Sequence, residues 1–214
     1  MEFSYLGHSA FKLKGKTATL VTDPYDAKVG KFPKDTTADI VTVSHDHFDH
    51  NQVKLISGSP FVIDSAGEYE VKGVSVVGVG SWHDNSGGSE RGANVLYVIE
   101  MDGLRICHAG DLGHKLTDPQ LEALGSLDIV LLPVGGTFTL DAKQAAEVVQ
   151  QLDPWIVIPM HHQQPGLDSA AFGKLAEVDV FLKELGKTVT PVPKLVMSRD
   201  KLPTELQVVV LERK

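Results

Sequence analysis

The chain has 214 residues, 42% of them hydrophobic, with a mean hydropathy of −0.03; that is enough apolar mass for one well-filled core in two sheets, so one domain over 1–214 is expected. The formal charge of −8 and a pI near 5.5 exclude a broad electrostatic track for a polynucleotide, while leaving room for a local basic pocket. A single cysteine, Cys107, excludes an internal disulfide, and neither a basic-then-apolar leader nor a run of about eighteen apolar residues is present, so a soluble cytoplasmic protein is expected.

Phe3 to Leu6, Ala10 to Leu13 and Ala18 to Val21 are short apolar or alternating runs separated by Gly7, Gly15-Lys16 and Asp23-Pro24, which predicts an opening antiparallel meander. Residues 26–37 show no periodicity and read as a loop over the active-site side. Ile40-Val41-Thr42-Val43 is β-branched throughout and predicts a buried strand. A modest helix follows over Gln52 to Ile56, then strands over Phe61 to Ile63 and Val74 to Val77, with Gly67 and Gly73 as breaks. Asn85 to Gly92 is a polar loop, and Asn94 to Ile99 with Leu104 to Ala109 predicts a hairpin turning at Met101-Asp102-Gly103.

Asp118-Pro119 opens a helix that runs to Leu124, with aspartate as cap and proline at the first helical position. Ile129 to Pro133 and Trp155 to Met160 are buried strands, and helical spacing over Asp141 to Leu152 lies between them. Ala170 to Leu185 predicts one amphipathic helix, and Val189 to Val196 with Leu206 to Leu211 predict closing strands. No repeat, low-complexity segment or linker interrupts the pattern.

The chemistry concentrates in His45-Asp46-His47-Phe48-Asp49-His50, where three imidazoles and two carboxylates leave the predicted strand at its C-terminal end. In extended chain His45 and His47 point the same way and can reach one ion; Asp49 and His50 come after room to turn and can face a second. Carboxylate and imidazole suit zinc, manganese or iron, with no cysteine nearby to demand a soft metal. The plain alternative is a polar loop, but ordinary loops favour Gly, Pro, Asn and Ser.

This stretch has the form H-x-H-x-D-H and resembles the signature of the metallo-β-lactamase superfamily, in particular the branch of ascorbate-6-phosphate lactonases and related small metal-dependent hydrolases. The likeness runs from about Phe3 to about His162 and includes Gly7-His8-Ser9-Ala10, Thr22-Asp23-Pro24-Tyr25 and Pro133-Val134-Gly135-Gly136-Thr137-Phe138-Thr139. It implies an α/β fold of the four-layer αβ/βα sandwich type, two mixed sheets flanked by helices, with the site on one edge between the halves. It also implies a set of roles. His83 matches the third ligand of the first metal, beside His45 and His47. His161 closes the second with Asp49 and His50, and Asp111, after Gly110, bridges both. Asp23 matches an acidic residue behind the ligands, or is a turn former before proline. His162 stands where relatives often have tyrosine and could donate to the substrate, and which of His161 and His162 binds metal stays open.

Other residues carry two readings each. Asp84 could orient a metal-bound imidazole. Arg91 could hold a substrate carboxylate or phosphate, or be a solvated loop charge. His8 reads as a structural imidazole at a strand end, His108 as an imidazole behind the ligands or a buried one. Cys107 reads as a core residue, although some relatives use cysteine as a ligand.

The expected cofactor is therefore a pair of divalent ions, zinc ahead of manganese or iron, about 3.5–4 Å apart and sharing a water that ionises near neutral pH to become the nucleophile. Asp49 or His162 would handle the leaving group's proton. The expected function is hydrolysis of a small anionic lactone or related ester. The alternatives are a phosphodiesterase acting on a nucleotide or RNA end, a di-iron redox enzyme on the same fold, and a non-catalytic metal-binding domain. A small-molecule substrate, no membrane and no nucleic acid are the expected partners, with a homo-oligomer left open.

Overall fold

In the computed structural model, which describes residues 1–214, the opening meander forms as β1 (Glu2–Gly7), β2 (Ala10–Lys14) and β3 (Thr19–Thr22), each antiparallel to the one before. β4 (Ile40–Thr42) then adds parallel to β3, and β5 (Phe61–Ile63) parallel to β4. All three residues of β4 are buried, which the β-branched run anticipates: a strand with parallel neighbours and both faces covered has no polar face to show.

β6 (Gly67–Val71), β7 (Val74–Trp82), β8 (Ala93–Met101) and β9 (Leu104–His108) form an antiparallel ladder. The chain continues through α1 (Asp118–Leu124), β10 (Ile129–Pro133), α2 (Ala142–Leu152) and β11 (Ile156–Met160), with β9, β10 and β11 parallel. It ends with α3 (Ser169–Phe172), α4 (Val178–Glu184), β12 (Leu195–Val196) and β13 (Gln207–Val208). One sheet runs β12-β1-β2-β3-β4-β5 and the other β13-β11-β10-β9-β8-β7-β6, so both are mixed.

Phe3, Phe11, Leu13 and Leu20 of the first sheet share one continuous core with Val76, Ile99, Ile106 and Leu131 of the second. The two sheets therefore pack against each other through their apolar faces, with helices outside. α2 is held at its start by a reciprocal pair: Asp141 accepts from the Gln144 amide at 2.8 Å, and Gln144 Oε1 accepts from the Asp141 amide at 3.1 Å. It stops at Asp153, which turns left-handed (φ 43°) immediately before Pro154.

Four expectations need correction. The single helix over Ala170 to Leu185 is two short ones, because the Ala176 backbone pairs elsewhere: its N–H donates to Gly135 O at 2.8 Å and its carbonyl accepts from the Gln163 amide at 2.9 Å. The helix over Gln52 to Ile56 is one 3₁₀ turn, Val53–Leu55. The closing strands shrink to two-residue pairings. Gly67, read as a break, is the first residue of β6, an edge strand missing from the expected elements, whose Glu68 and Glu70 are charges of the kind that protect an edge from pairing with another chain.

Candidate metal centre

Four strands, β4 of the first sheet and β7, β9 and β11 of the second, are each followed closely by a polar side chain of the cluster. His45 follows β4 by three residues, His83 follows β7 directly, Asp111 follows β9 by three, and His161 follows β11 directly. The carboxylate of Asp111 is central. Its Oδ2 lies 3.1 Å from His50 Nε2, 3.2 Å from His83 Nε2, 3.3 Å from His161 Nε2 and 4.0 Å from His45 Nε2. His47 meets His45 edge-on at 4.5 Å between ring centroids and His83 at 5.2 Å, and Asp49 Oδ2 is 3.6 Å from His50 Nε2. All seven residues named from the sequence thus converge. They divide into His45, His47 and His83 on one side and Asp49, His50 and His161 on the other, with ligand atoms of each group within 4.8 Å of one another.

One buried carboxylate behind this cluster sets the tautomers in front of it. Asp23 is fully buried; its Oδ1 accepts from the Ser44 amide at 2.8 Å, and its Oδ2 accepts from Ser44 Oγ at 2.6 Å and from His50 Nδ1 at 2.7 Å. Since the Ser44 hydroxyl proton is committed to Asp23, Ser44 Oγ accepts from His45 Nδ1 at 2.9 Å. Both imidazoles therefore carry their proton on Nδ1 and turn the lone pair of Nε2 toward the cluster. Asp23 takes the role behind the ligands, and Ser44, unremarked in sequence beside His45, is the link that extends it to a second ring.

His8, read from the sequence as a structural imidazole at a strand end, is one, and it also reaches the cluster. It sits between β1 and β2 at φ 56°, fully buried, with Nε2 donating to Asp49 Oδ2 at 3.1 Å and its ring 4.2 Å from that of His161. It also groups with Asp49, His50 and His161 as a set able to hold a cation. The available signal is its place in Gly7-His8-Ser9-Ala10, a block that already carries the family resemblance.

Charge follows burial and neighbours. Loss of solvent, then the nearby His50, pushes His45 down to about 3, and burial with the charge of His161 pushes His8 down to about 4. Burial opposes charge on Asp111, but His161 and His50 outweigh it and hold the carboxyl well below its usual range. His45 is thus neutral and Asp111 ionised, the protonation states that bind metal, whereas the carboxylates of Asp111, Asp49 and Asp23 overcome burial to hold His50 well above its usual range and Asp111 likewise raises His83, so a cation binding there would displace protons. His45 Nε2, His50 Nε2, His161 Nε2 and Asp111 Oδ1 are buried without a hydrogen-bond partner. Buried polar atoms are seldom left so, and divalent cations held by the two ligand groups would satisfy them, so these residues fit zinc, manganese or iron.

A cavity of about 440 Å³ opens over the cluster, with His47, Asp49, His83 and Asp111 in its floor and Arg91 on its wall. His162 is not in it. Its Nδ1 donates to Gln163 O at 2.9 Å and its ring lines a separate cavity with Arg213, so of the two adjacent histidines it is His161 that faces the cluster. Asp84 orients no imidazole: its oxygens accept from the amides of Ser86, Gly88, Glu90 and Arg91 at 2.8–3.0 Å, fixing the polar loop. Those four donors outweigh desolvation and hold its carboxyl down to about 2. His108 Nε2 donates to Ser9 O at 2.8 Å behind the site, and Cys107 is buried in the core outside every ligand group.

The profile described as "Beta-lactamase superfamily domain" matches residues 2–161. A UPF0173 metal-dependent hydrolase from Thermococcus onnurineus is 34% identical over 187 residues, covering 74% of this chain and 83% of that one. One from Pyrococcus abyssi is 33% identical over 192 residues, covering 76% and 84%. The crystal structure of a proposed Zn-dependent hydrolase of the metallo-β-lactamase superfamily from Thermotoga maritima superposes with a TM-score of 0.82 at 39% identity, over 100% of this chain and 99% of that one. With strand ends, histidines and carboxylates arranged as described, the chain belongs to the metallo-β-lactamase superfamily and, within it, to the UPF0173 metal-dependent hydrolases.

Proposed function

We propose that this metal-dependent hydrolase cleaves small anionic lactones or related esters at a pair of divalent ions, in the manner of the ascorbate-6-phosphate lactonase-like branch that its hexapeptide resembles. The observation that carries the reading is Asp111, one carboxylate oxygen within 3.3 Å of three imidazole nitrogens drawn from both ligand groups. In the proposed assignment His45, His47 and His83 would hold one ion and Asp49, His50 and His161 the other, with Asp111 a ligand that both groups could share. Zinc is the proposed ion, in keeping with the name of the Thermotoga maritima relative. The cytoplasm is the proposed location, since the one cysteine is buried and unpaired.

When bound, such a pair supplies a water acidic enough to attack near neutral pH and polarises the carbonyl under attack. The chain's residues do the rest. Asp23, through Ser44 and His50, keeps Nδ1 protonated on two ligand imidazoles so that Nε2 stays free. His8 fixes Asp49 by its Oδ2, and Asp49 lines the cavity, where it takes up and returns the proton that the leaving oxygen needs. His162 has no such access, so that proton role is assigned to Asp49 alone. Arg91, half-buried on the cavity wall, is the cation placed to hold an anionic group.

The test is purified protein assayed for metal content and screened against a lactone panel and bis-p-nitrophenyl phosphate, with Asp111→Ala beside it. The expected result is close to two equivalents of zinc and lactone or ester turnover, both lost in Asp111→Ala. Turnover retained after the metal is lost would end the proposal, and preference for the phosphodiester would replace the substrate with the alternative one.

A further inference from the structure

The cavity over the cluster has one feature that the hydrolytic chemistry does not require. Three of its walls are phenylalanines: Phe48 from within the hexapeptide, Phe138 from the loop after β10, and Phe172 from α3. Phe138 and Phe172 meet edge to face, with centroids 6.3 Å apart at 76°, so they form one continuous apolar wall. Phe48 is 43% exposed, an apolar ring held beside charged ligands where a polar residue would be more soluble.

One cation, Arg91, lines this slot and stacks on its aromatic wall, and a second, Lys28, stacks on Phe48 without lining the cavity. The Arg91 guanidinium lies 5.8 Å from the Phe138 centroid, and Lys28 Nζ lies 5.8 Å from that of Phe48. Arg91 has no strong partner of its own: its contact to Thr137 O is 3.4 Å and that to Glu90 is 3.8 Å, so its fork of donors remains available. In a chain of net charge −8, an uncommitted guanidinium lining a small apolar slot marks it for an anion.

We propose that the substrate is an ester or lactone built on a flat aromatic body, packed between Phe48 and the Phe138–Phe172 wall, with a carboxylate at the far end held by Arg91. The inference rests on the hydrolase reading for the reacting end and on the slot alone for the binding end. In the reaction the acyl carbon–oxygen bond breaks, the oxygen of water joins the acyl carbon, one of its protons goes to the leaving oxygen and the other is released from the new acid.

Three ethyl esters with the same leaving group separate the two features: monoethyl terephthalate has ring and anion, ethyl benzoate the ring alone, monoethyl succinate the anion alone. Zinc-loaded protein is expected to turn over the first with kcat/KM about tenfold above each of the others, once scaled to their rates with hydroxide. Calorimetric titration with terephthalate, benzoate and succinate is expected to give the same order without any turnover. Phe138→Leu should shrink the advantage over succinate, and Arg91→Gln the advantage over benzoate. Terephthalate binding no tighter than the other two, or preferences unmoved by both substitutions, would overturn the inference. Binding in the expected order with no ester cleaved would instead sink the hydrolase reading and leave the slot's specificity standing.

Discussion

Asp23 Oδ2 accepts a 2.7 Å hydrogen bond from His50 Nδ1, and both side chains are sealed from solvent. Because the same oxygen also takes the Ser44 proton, replacing it with an amide NH₂ sets a donor against two donors. Asp23→Asn is therefore expected to force His50 to carry its proton on Nε2, facing the cluster, and to lower metal affinity by about 10- to 100-fold. The change should cost about 1–3 kcal/mol of stability through unmet buried groups, while the positive φ of 36° at this position suits asparagine as well as aspartate. Chelator competition measures the affinity, and an unchanged constant would show that Asp23 is a turn former after all.

His8 makes a separable prediction. His8→Asn keeps a residue type that tolerates φ 56° but is too short to reach Asp49. Turnover is expected to fall by about 10- to 100-fold, with the ion assigned to His45, His47 and His83 retained and the other bound more weakly. Metal stoichiometry after dialysis, read beside kcat, checks it; full occupancy with full activity would take His8 out of the site.

How far the sequence reveals such a site depends on whether its residues act locally. The hexapeptide is self-contained, and its ligands follow a strand legible from Ile40 to Val43. His83, Asp111 and His161 are placed by the family resemblance, each after an apolar run that reads as a strand. His8, Ser44 and Asn94 are not, since each works through a partner distant in sequence or through hydrogen bonds that a residue list does not show: His8 reaches Asp49 across 41 positions, and Asn94 Oδ1 accepts from the Asp111 amide across 17. The same cause split the helix after Ala170, where Gly135 O captured an amide that local propensity had assigned to a helix.

Gly110 gives a sharper test of how Asp111 is placed. It adopts φ +53°, and a Cβ there would lie 2.3 Å from Asn94 Oδ1 and 2.6 Å from Ser44 Cβ. The crowding is thus with the residues that hold Asp111 and His45. Gly110→Ala is expected to destabilise the fold by about 1–3 kcal/mol, a drop in Tm of about 2–4 °C per kcal/mol for a chain of this size. It should also displace Asp111 enough to lose metal and most activity. An alanine variant with normal metal content and turnover would contradict the placement.

Cys107 separates a ligand from a core residue by pH and by chemistry. Burial alone pushes its thiol up to about 12, against about 8.5 for the unfolded chain. The raised value means that the native state favours the neutral thiol. Its contribution to stability is complete below about pH 8.5 and is lost as pH rises through that window toward 12. A thiol reagent at pH 8 should therefore leave the native protein unlabelled over hours and modify it at once in denaturant, with or without metal bound. Cys107→Ser should bury a hydroxyl between Val98 and Val130, its cross-strand neighbours, at a cost of about 1–3 kcal/mol, while metal content stays unchanged. Labelling that speeds up when chelator strips the metal, or a serine variant that loses an ion, would return Cys107 to the ligand set.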